Sequence, residues 1–367
     1  MKTTRTSLAA LAIVSALAVA ACSDGSTSAA PSPSATTAAC PSSPAPAGGP
    51  PPGGASMPAG KLVVPVDTST STVLEADQAP QIRCGQIPVD TKSDIAYSAP
   101  KLANGQTKQL LMDVQVPRTP GPKPLVVYVP GGGFVQSAKE GNLPLRTFAA
   151  DAGYVVASIQ YRVQPDGATY TDSIADVKSA IRYLKANAAT YQIDPGKVGV
   201  WGDSAGGYVV AMVGVTNGDK QYDVGGNLDQ SSTVQAVVDK FGASDLSRLG
   251  SDFDAASQKA MAGLTAIVTK YVGPTGFAAA DPITHIKAGA PPFVIFHGSA
   301  DTLISPSQTL KLHNALRAAG VTSTRYVVEG GGHGDLAFTG DTRAAAIWTT
   351  TTVADPLIGF LNQNLKK

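Results

Sequence analysis

Short apolar runs rich in β-branched residues alternate with longer stretches of helical periodicity over most of the chain. Apolar runs of this length predict strands that are covered on both faces. These runs are 95–98, 110–116, 125–129, 155–160, 198–201, 234–241, 293–296 and 325–328. Stretches in which apolar residues recur every three or four positions predict helices. These stretches are 172–187, 205–215, 306–319 and 342–365, and we expect the last to be split or kinked at Pro356.

The order of these elements favours one sheet architecture. The Asn104-Gly105 dipeptide is a strong hairpin signal, so the first two strands are expected to pair antiparallel. The later strands alternate with helices, which is typical of parallel βαβ units. The pattern predicts an α/β fold with a mostly parallel central sheet, an N-terminal antiparallel hairpin and helices on both faces. Such a sheet binds its ligands at the carboxyl ends of its strands.

Composition and charge narrow the class of protein. The 367 residues are 43% hydrophobic and 15% charged, which suits one large folded domain. The formal net charge is +1, and no basic stripe or nucleic-acid motif is visible. We therefore expect no nucleic-acid partner.

The N-terminus predicts export. Lys2 and Arg5 precede an apolar run over 8–21 that is too short to span a bilayer comfortably. The run ends in Val19-Ala20-Ala21-Cys22, which resembles the lipobox of bacterial lipoproteins and implies cleavage before Cys22 and its lipidation. We expect a signal peptide over 1–21 and a lipid anchor on the extracytoplasmic side of a bacterial cell membrane. A secreted protein with an ordinary signal peptide is the alternative.

The segment after the signal is low in complexity. Residues 22–60 are mostly Ser, Ala, Pro, Gly and Thr, so they bury too little apolar surface to offset the entropy of ordering. They predict a disordered tether before a folded domain over 61–367, with its core at about 93–364. Cys40 in the tether and Cys84 make an even pair in an exported chain. The sequence leaves two alternatives: a disulfide between these cysteines, or two free thiols.

The hexapeptide Gly202-Asp203-Ser204-Ala205-Gly206-Gly207 joins a predicted strand to a predicted helix. A serine at a sharp strand-to-helix turn, with glycines on both sides, is typical of a nucleophile elbow. Ser204 is therefore the candidate nucleophile. It needs a base to remove its proton, an acid to orient that base, and donors for the oxyanion.

Candidates for the base and the acid follow two other predicted strands. His333 lies in a glycine-rich loop just beyond strand 325–328, and Asp301 lies on the loop that leaves strand 293–296. The order Ser204, Asp301, His333 is that of α/β-hydrolases. Taken singly, Asp301 could cap a helix and His333 could be an ordinary loop residue. His285 and His313 are expected to be structural or solvated.

Oxyanion donors are expected from two places. One is the backbone N–H of Ala205, which directly follows the nucleophile. The others are the N–H groups of Gly132 and Gly133, in the glycine-rich turn that ends strand 125–129. A glycine turn that binds no ligand is the alternative.

With these residues in place, the chain from about 93 to 364 resembles the α/β-hydrolase carboxylesterases, especially the bacterial enzymes near hormone-sensitive lipase and a feruloyl esterase-like group. The motifs that carry the resemblance are Gln160-Tyr161-Arg162, the helix at 172–184, the elbow at 202–207, Phe241-Gly242-Ala243-Ser244-Asp245-Leu246 and His297-Gly298-Ser299-Ala300-Asp301. The resemblance implies the α/β-hydrolase fold and hydrolysis of carboxylic esters through an acyl-enzyme, with no metal or organic cofactor. The chain departs from the family at Pro130, where the glycine loop usually begins with histidine. The proline offers no N–H, but it fixes φ and can stiffen the strand exit.

These observations predict a serine carboxylesterase that acts on short-chain or carbohydrate-linked esters. A serine peptidase of the prolyl oligopeptidase type shares the triad order, although nothing over 23–93 could form the propeller of that family. A noncatalytic surface-binding lipoprotein on a hydrolase scaffold is the other alternative, and Pro130 is the feature that favours it.

Three expectations concern the surroundings of the site. Residues 247–290 could build part of a lid or form an ordinary connecting helix. Arg162 and Asp176 are expected to form a buried ion pair. Asp203 is expected to bond within the elbow.

Overall fold

A nine-stranded sheet forms the centre of the protein. The computed structural model describes residues 37–44, 60–334 and 346–367. The strands in these ranges are β1 (Ala38–Ala39), β2 (Thr72–Leu74), β3 (Arg83–Cys84), β4 (Val89–Ser98), β5 (Leu110–Pro117), β6 (Lys123–Val129), β7 (Val155–Ile159), β8 (Ile193–Asp203), β9 (Ala236–Lys240), β10 (Phe293–Gly298) and β11 (Ser323–Val328). All except β1 and β3 belong to the nine-stranded sheet. The order across the sheet is β2-β11-β10-β9-β8-β6-β7-β5-β4.

The sheet is mostly parallel, as the sequence predicts. Strands β6 to β11 pair parallel with one another, and β2 adds a short parallel edge to β11. The hairpin of β4 and β5 is antiparallel, and β5 also runs antiparallel to β7. The edge strand β2 was not predicted, because three residues are too few to produce a periodic pattern.

Helices cover both faces of the sheet. Their bounds are α1 (Leu143–Asp151), α2 (Tyr170–Ala186), α3 (Ala188–Tyr191), α4 (Ala205–Val215), α5 (Ala255–Ala260), α6 (Ala262–Val272), α7 (Ser307–Ala318) and α8 (Thr351–Leu365). Buried residues of α2, α4, α6 and α7 share one core with the sheet. Buried residues of α1 and α8 share a second core on the other face, which confirms the predicted layering.

Helices α1, α3 and α8 differ from the sequence prediction, and α3 is a single turn that was not predicted. Helix α1 was not predicted, because its short pattern is mixed with Pro144 and polar residues. Helix α8 begins at Thr351 rather than residue 342 and is not split at Pro356. A proline in the second turn removes one backbone bond, and the buried residues Val353, Leu357 and Leu361 hold the helix on the core. Residues 342–345 of the predicted helix lie outside the described part of the chain.

The segment 247–290 forms connecting helices. Tyr271 of α6 is fully buried, its ring lies 4.6 Å from that of Phe134, and its hydroxyl donates a 2.7 Å hydrogen bond to Ser173 Oγ. Short 3-10 turns flank these helices, at Leu246–Arg248, Gly273–Thr275 and Pro282–His285. The inner face of α6 is thus part of the core rather than a separate cover.

Part of the expected tether is ordered on the domain. Strand β1 pairs antiparallel with β3, and a disulfide bond joins Cys40 to Cys84. The Leu143 N–H at the start of α1 also donates to Ser43 Oγ at 2.9 Å. Residues 37–44 therefore differ from the predicted disorder, because covalent and main-chain bonds replace the missing apolar burial. The predicted signal over 1–21 and Cys22 lie outside the described residues.

None of the helices in the described ranges is both long enough and apolar enough to span a membrane.

Candidate active site

Ser204 sits at a strained turn between β8 and α4. Its backbone has φ 57° and ψ −120°, a conformation that non-glycine residues rarely adopt. The turn is tight: a Cβ on Gly202 would lie 2.1 Å from the Gly206 oxygen, and one on Gly206 would lie 2.0 Å from the Val129 oxygen. Both glycines are therefore required by close backbone approach. The turn raises the Ser204 side chain at the carboxyl end of the sheet, as a nucleophile elbow does.

The structure brings the three predicted triad residues together. His333 Nε2 lies 2.7 Å from Ser204 Oγ, and His333 Nδ1 lies 2.7 Å from Asp301 Oδ2. Asp301 is fully buried and His333 is nearly so, whereas Ser204 is partly exposed. In the neutral ring, Nδ1 carries the proton that the carboxylate accepts, which leaves Nε2 free to accept the serine proton.

The meeting of Asp301 and His333 follows from the sheet. Each residue lies on the loop after one of two neighbouring parallel strands, β10 and β11. The two loops are also joined to each other. The Ala300 N–H donates to the Gly331 oxygen, and the Gly330 N–H donates to Ser299 Oγ, both at 2.9 Å.

Hydrogen bonds hold Asp301 in its ionised form. Its Oδ1 accepts from the N–H groups of Leu303 and Ile304, at 2.8 and 2.9 Å. Burial alone would raise the pKa of the Asp301 carboxyl, but the His333 charge and the hydrogen bonds from His297 and His333 hold that pKa well below its ordinary value. Asp301 therefore remains a carboxylate that can orient and stabilise the imidazolium of His333.

The loop after β6, residues 130–137 (the glycine loop), lies directly beside the nucleophile. A Cβ on Gly131 would be 3.0 Å from Ser204 Cβ and 2.8 Å from the Asp203 oxygen. Within the described ranges, the N–H groups of Gly132, Gly133 and Ala205 donate to no other group of the protein. Unpaired donors beside a serine are what an oxyanion hole requires.

A buried polar network that the sequence did not reveal lies behind the nucleophile. The expectation that Asp203 bonds within the elbow is wrong, because its side chain accepts from groups outside 202–207, including Asn142 Nδ2 at 2.8 Å and Trp201 Nε1 at 2.9 Å. Asp203 also accepts from Tyr128 Oη at 3.1 Å, and its Oδ2 lies 3.4 Å from the buried ammonium of Lys240. Because these donors come from four separate elements or loops, only the folded structure reveals the network.

Lys240 also contacts aromatic rings that lie between the elbow and the loop that carries His333. Its Nζ lies 5.7 Å from the ring centre of Trp201, 5.2 Å from that of Phe241 and 5.1 Å from that of Trp348. Phe241 in turn packs on His333, with 4.9 Å between ring centres. Cation–π contacts of this kind stabilise a buried ammonium that has one carboxylate partner.

The remaining polar candidates lie outside the triad. Arg162 forms the predicted ion pair with Asp176, at 2.8 Å, and a second one with Asp172, at 2.7 Å. His285 bonds the Ala279 oxygen, and His313 bonds the Thr70 oxygen. In the part of the chain that the structure describes, no cluster of His, Cys, Asp and Glu could hold a metal ion.

The fold and the arrangement of this site define an α/β-hydrolase. The BD-FAE family model matches residues 112–316, which is more than half of the chain. The chain therefore belongs to the BD-FAE family, and the predicted resemblance to α/β-hydrolase carboxylesterases is confirmed.

Curated relatives include two proteins of Mycobacterium tuberculosis. One is described as probable carboxylic ester hydrolase LipM and is 33% identical over 202 residues, which cover 54% of this chain and 46% of LipM. The other, esterase LipC, is 33% identical over 231 residues, which cover 61% of this chain and 57% of LipC. The chain thus spans about half the length of the curated relatives it matches.

Solved structures are similar over a larger share. A truncated carbohydrate esterase from gut microbiota superposes with a TM-score of 0.63 at 27% identity, covering 76% of this chain and 97% of that one. Thermogutta terrifontis esterase 2 phosphonylated by sarin superposes with a TM-score of 0.58 at 25% identity, covering 76% of this chain and 94% of that one. Both similarities support the α/β-hydrolase fold.

Proposed function

We propose that this protein is a serine carboxylesterase that hydrolyses short-chain or carbohydrate-linked carboxylic esters through an acyl-enzyme. The observation that carries the proposal is the continuous hydrogen-bond chain from Ser204 through His333 to Asp301. The backbone N–H groups beside the serine that bond no other described group meet the second requirement of acyl transfer, which is stabilisation of the oxyanion. The similarity to LipM and LipC, which are described as a probable carboxylic ester hydrolase and an esterase, favours ester hydrolysis over peptidase activity and over a noncatalytic scaffold.

The geometry supports a two-step reaction. Ser204 Oγ attacks the ester carbonyl carbon while His333 Nε2 takes the hydroxyl proton, and the N–H groups of Ala205, Gly132 and Gly133 stabilise the oxyanion. The intermediate expels the alcohol, which receives the proton from His333 and leaves an acyl-Ser204 ester. A water molecule, deprotonated by His333, then attacks that ester and releases the carboxylic acid and the free serine.

The proposal also names a substrate class. Among the similar structures, one is described as a carbohydrate esterase and another as an acetyl ester-xyloside bifunctional hydrolase. The second is 23% identical and supports only the shared fold. The first description makes esters of carbohydrates the first substrates to examine.

A panel of substrates tests the proposal. It contains p-nitrophenyl acetate, butyrate and decanoate, acetylated xylo-oligosaccharides, and a proline peptide anilide. We expect hydrolysis of the short esters, with a loss of at least about 10,000-fold in kcat for Ser204→Ala. Cleavage of the peptide in preference to every ester would favour the peptidase alternative. Equal ester hydrolysis by Ser204→Ala and the parent would remove the triad from the mechanism.

We also propose that the protein is exported and anchored to the cell membrane by lipid on Cys22, with a secreted protein as the alternative. The charged start, the apolar run over 8–21 and the small residues before Cys22 support it. A disulfide between Cys40 and Cys84 fits an oxidising compartment. In a bacterial host that processes lipoproteins, labelled palmitate should enter the parent and the Ser23→Ala control but not Cys22→Ser. Equal labelling of Cys22→Ser would contradict the anchor.

A further inference from the structure

A second histidine touches the carboxylate of the triad. His297 is fully buried at the carboxyl end of β10, and its Nε2 lies 3.2 Å from Asp301 Oδ2. The same Oδ2 is bonded by His333 Nδ1 at 2.7 Å, so one carboxylate oxygen lies between two imidazoles. The other oxygen accepts from the backbone N–H groups of Leu303 and Ile304.

The surroundings of His297 fix its tautomer. Its Nε2 faces only acceptors, namely the Ile304 oxygen at 2.9 Å and Asp301 Oδ2, so this nitrogen must carry a proton. Its Nδ1 lies 2.8 Å from Thr309 Oγ1. Burial lowers the pKa of His297, with the nearby Asp301 opposing the shift, which favours the neutral ring. Nδ1 of that ring then accepts the hydroxyl proton of Thr309.

Arg325 sets the direction of the Thr309 hydroxyl. The Arg325 Nε–H donates to Thr309 Oγ1 at 3.2 Å, and a guanidinium can only donate. The hydroxyl oxygen is therefore occupied, and its proton is available to His297 Nδ1, with the Pro306 oxygen as a longer alternative at 3.3 Å. Arg325 is itself held by Ser71 Oγ and the Pro306 oxygen, at 2.6 and 2.8 Å. A directed chain of bonds thus runs from Arg325 through Thr309 to His297, whose single Nε2 proton faces the Ile304 oxygen at 2.9 Å and Asp301 Oδ2 at 3.2 Å.

We propose that His297 is a positioning residue for the acid of the triad, which fixes Asp301 Oδ2 in line with His333 Nδ1. This inference rests on the proposed function, because a positioned acid matters only where His333 acts as a base. The Asp301 carboxylate accepts three hydrogen bonds, from Leu303, Ile304 and His333. The His297 N–H faces Oδ2 as a fourth contact, which restricts rotation of the carboxylate away from His333. Without the His297 ring, Oδ1 keeps its two backbone bonds, but Oδ2 keeps only the His333 bond and loses the contact on its other side.

The chain offers a matched control in His313. This residue is also buried, and it shows the same bonding pattern, with Nδ1 2.8 Å from Ser323 Oγ and Nε2 3.0 Å from the Thr70 oxygen. It differs in having no contact with Asp301. Replacing either histidine removes two comparable buried hydrogen bonds, so the two pairs of variants separate loss of stability from loss of positioning.

The experiment compares His297→Phe, His297→Gln, His313→Phe and His313→Gln in the full chain, with p-nitrophenyl acetate as substrate. We expect His297→Phe to lower kcat by about 10- to 100-fold with little change in KM. His297→Gln keeps an N–H donor and should recover most of that loss. Both His313 variants should keep the kcat of the parent while losing thermal stability. An equal kcat loss in His313→Phe, or parental kcat in a folded His297→Phe, would overturn the proposal.

Proton NMR gives a readout that does not depend on turnover. The low-field resonance of the His333 Nδ1 proton, assigned by its absence in His333→Gln, should shift or broaden in His297→Phe and remain in place in His313→Phe. An unchanged resonance in His297→Phe would contradict the positioning role. If the parent hydrolysed no ester, the proposed function would fail, and this resonance would still decide whether His297 orders the Asp301–His333 pair.

Discussion

The hydroxyl of Tyr161 donates a 2.9 Å hydrogen bond to the carbonyl oxygen of Pro130. Pro130 begins the glycine loop, at the position where the resemblance to carboxylesterases leads us to expect histidine. The backbone of Tyr161 also binds Ser137 at the far end of the loop, since its N–H donates to Ser137 Oγ and its oxygen accepts from the same hydroxyl. Tyr161 therefore holds both ends of the loop that presents Gly132 and Gly133, which accounts for an ordered loop without the histidine.

Tyr161→Phe tests this support. The change leaves the Pro130 carbonyl without its hydroxyl partner, so we expect a loss of about 1 kcal/mol in transition-state stabilisation, or about 5-fold in kcat. Tyr154→Phe is the control, because Tyr154 is equally buried and donates to Asn362 Oδ1, away from the glycine loop. Ester hydrolysis and thermal melting would be measured for both. Equal effects on kcat in the two variants would contradict a role in the loop.

The two predicted donor glycines should respond differently to alanine. A Cβ on Gly132 would lie 2.2 Å from the Gln136 oxygen, whereas one on Gly133 would meet nothing within 4 Å. Gly132→Ala must therefore move the loop, and we expect a loss of about 100-fold or more in kcat. Gly133→Ala has the strain of φ +60°, about 1 kcal/mol, and should lose less activity. The kcat values of the two variants for p-nitrophenyl acetate hydrolysis check this prediction. A larger loss of kcat in Gly133→Ala than in Gly132→Ala would contradict it.

Asp239 should make stability depend on pH. It is fully buried beside α4, its Oδ1 accepts from the Gly242 N–H at 2.9 Å, and its Oδ2 bonds no group among the described residues. Burial raises the pKa of Asp239 to about 7. Between the unfolded value near 4 and this folded value, the folded state binds the extra proton, so stability falls as pH rises.

Asp239→Asn should remove that dependence. Relative to this variant, we expect the parent to lose about 1.4 kcal/mol of unfolding free energy for each pH unit between about pH 5 and 7. Above about pH 7 the two curves should run parallel, because the carboxyl is then ionised in both states. Urea unfolding at pH 5, 6, 7 and 8 measures the difference. Parallel curves throughout would show that Asp239 titrates at its ordinary pKa.

The disulfide should stabilise the domain without affecting catalysis. It joins residues 44 positions apart, so the double variant Cys40→Ser/Cys84→Ser should lose about 2 to 4 kcal/mol of unfolding free energy. Residues 37–44 should then become sensitive to proteinase K, while kcat stays near the parental value. A resistant segment in the double variant would mean that β1 pairing alone holds it.

The sequence predicts most of the scaffold for physical reasons that particular elements show. Helix α4 has the bounds that its apolar pattern predicts, because a strand end and a sharp turn define its start. Central strands such as β6 and β10 are buried on both faces, which produces apolar runs with clear limits. Asp301 and His333 could be selected because each directly follows such a strand. Short edge strands and α1 lack these signals.

The contacts that support the site could not be predicted in the same way. Tyr161 meets Pro130, and His297 meets Asp301, through loop conformations that no spacing rule specifies. Lys240 reaches Asp203 because β8 and β9 are paired in one particular register. A one-residue change of register would place that side chain on the other face of the sheet. These residues have ordinary side chains in sequence and acquire their roles only in the folded structure.

The most direct test of an activated Ser204 is the reaction of the full chain with a fluorophosphonate, followed by intact-mass spectrometry. The hydrogen bonds between Ser204, His333 and Asp301 predict one adduct on the parent and none on Ser204→Ala. No adduct on the folded parent, or the same adduct on Ser204→Ala, would contradict an activated serine at this position.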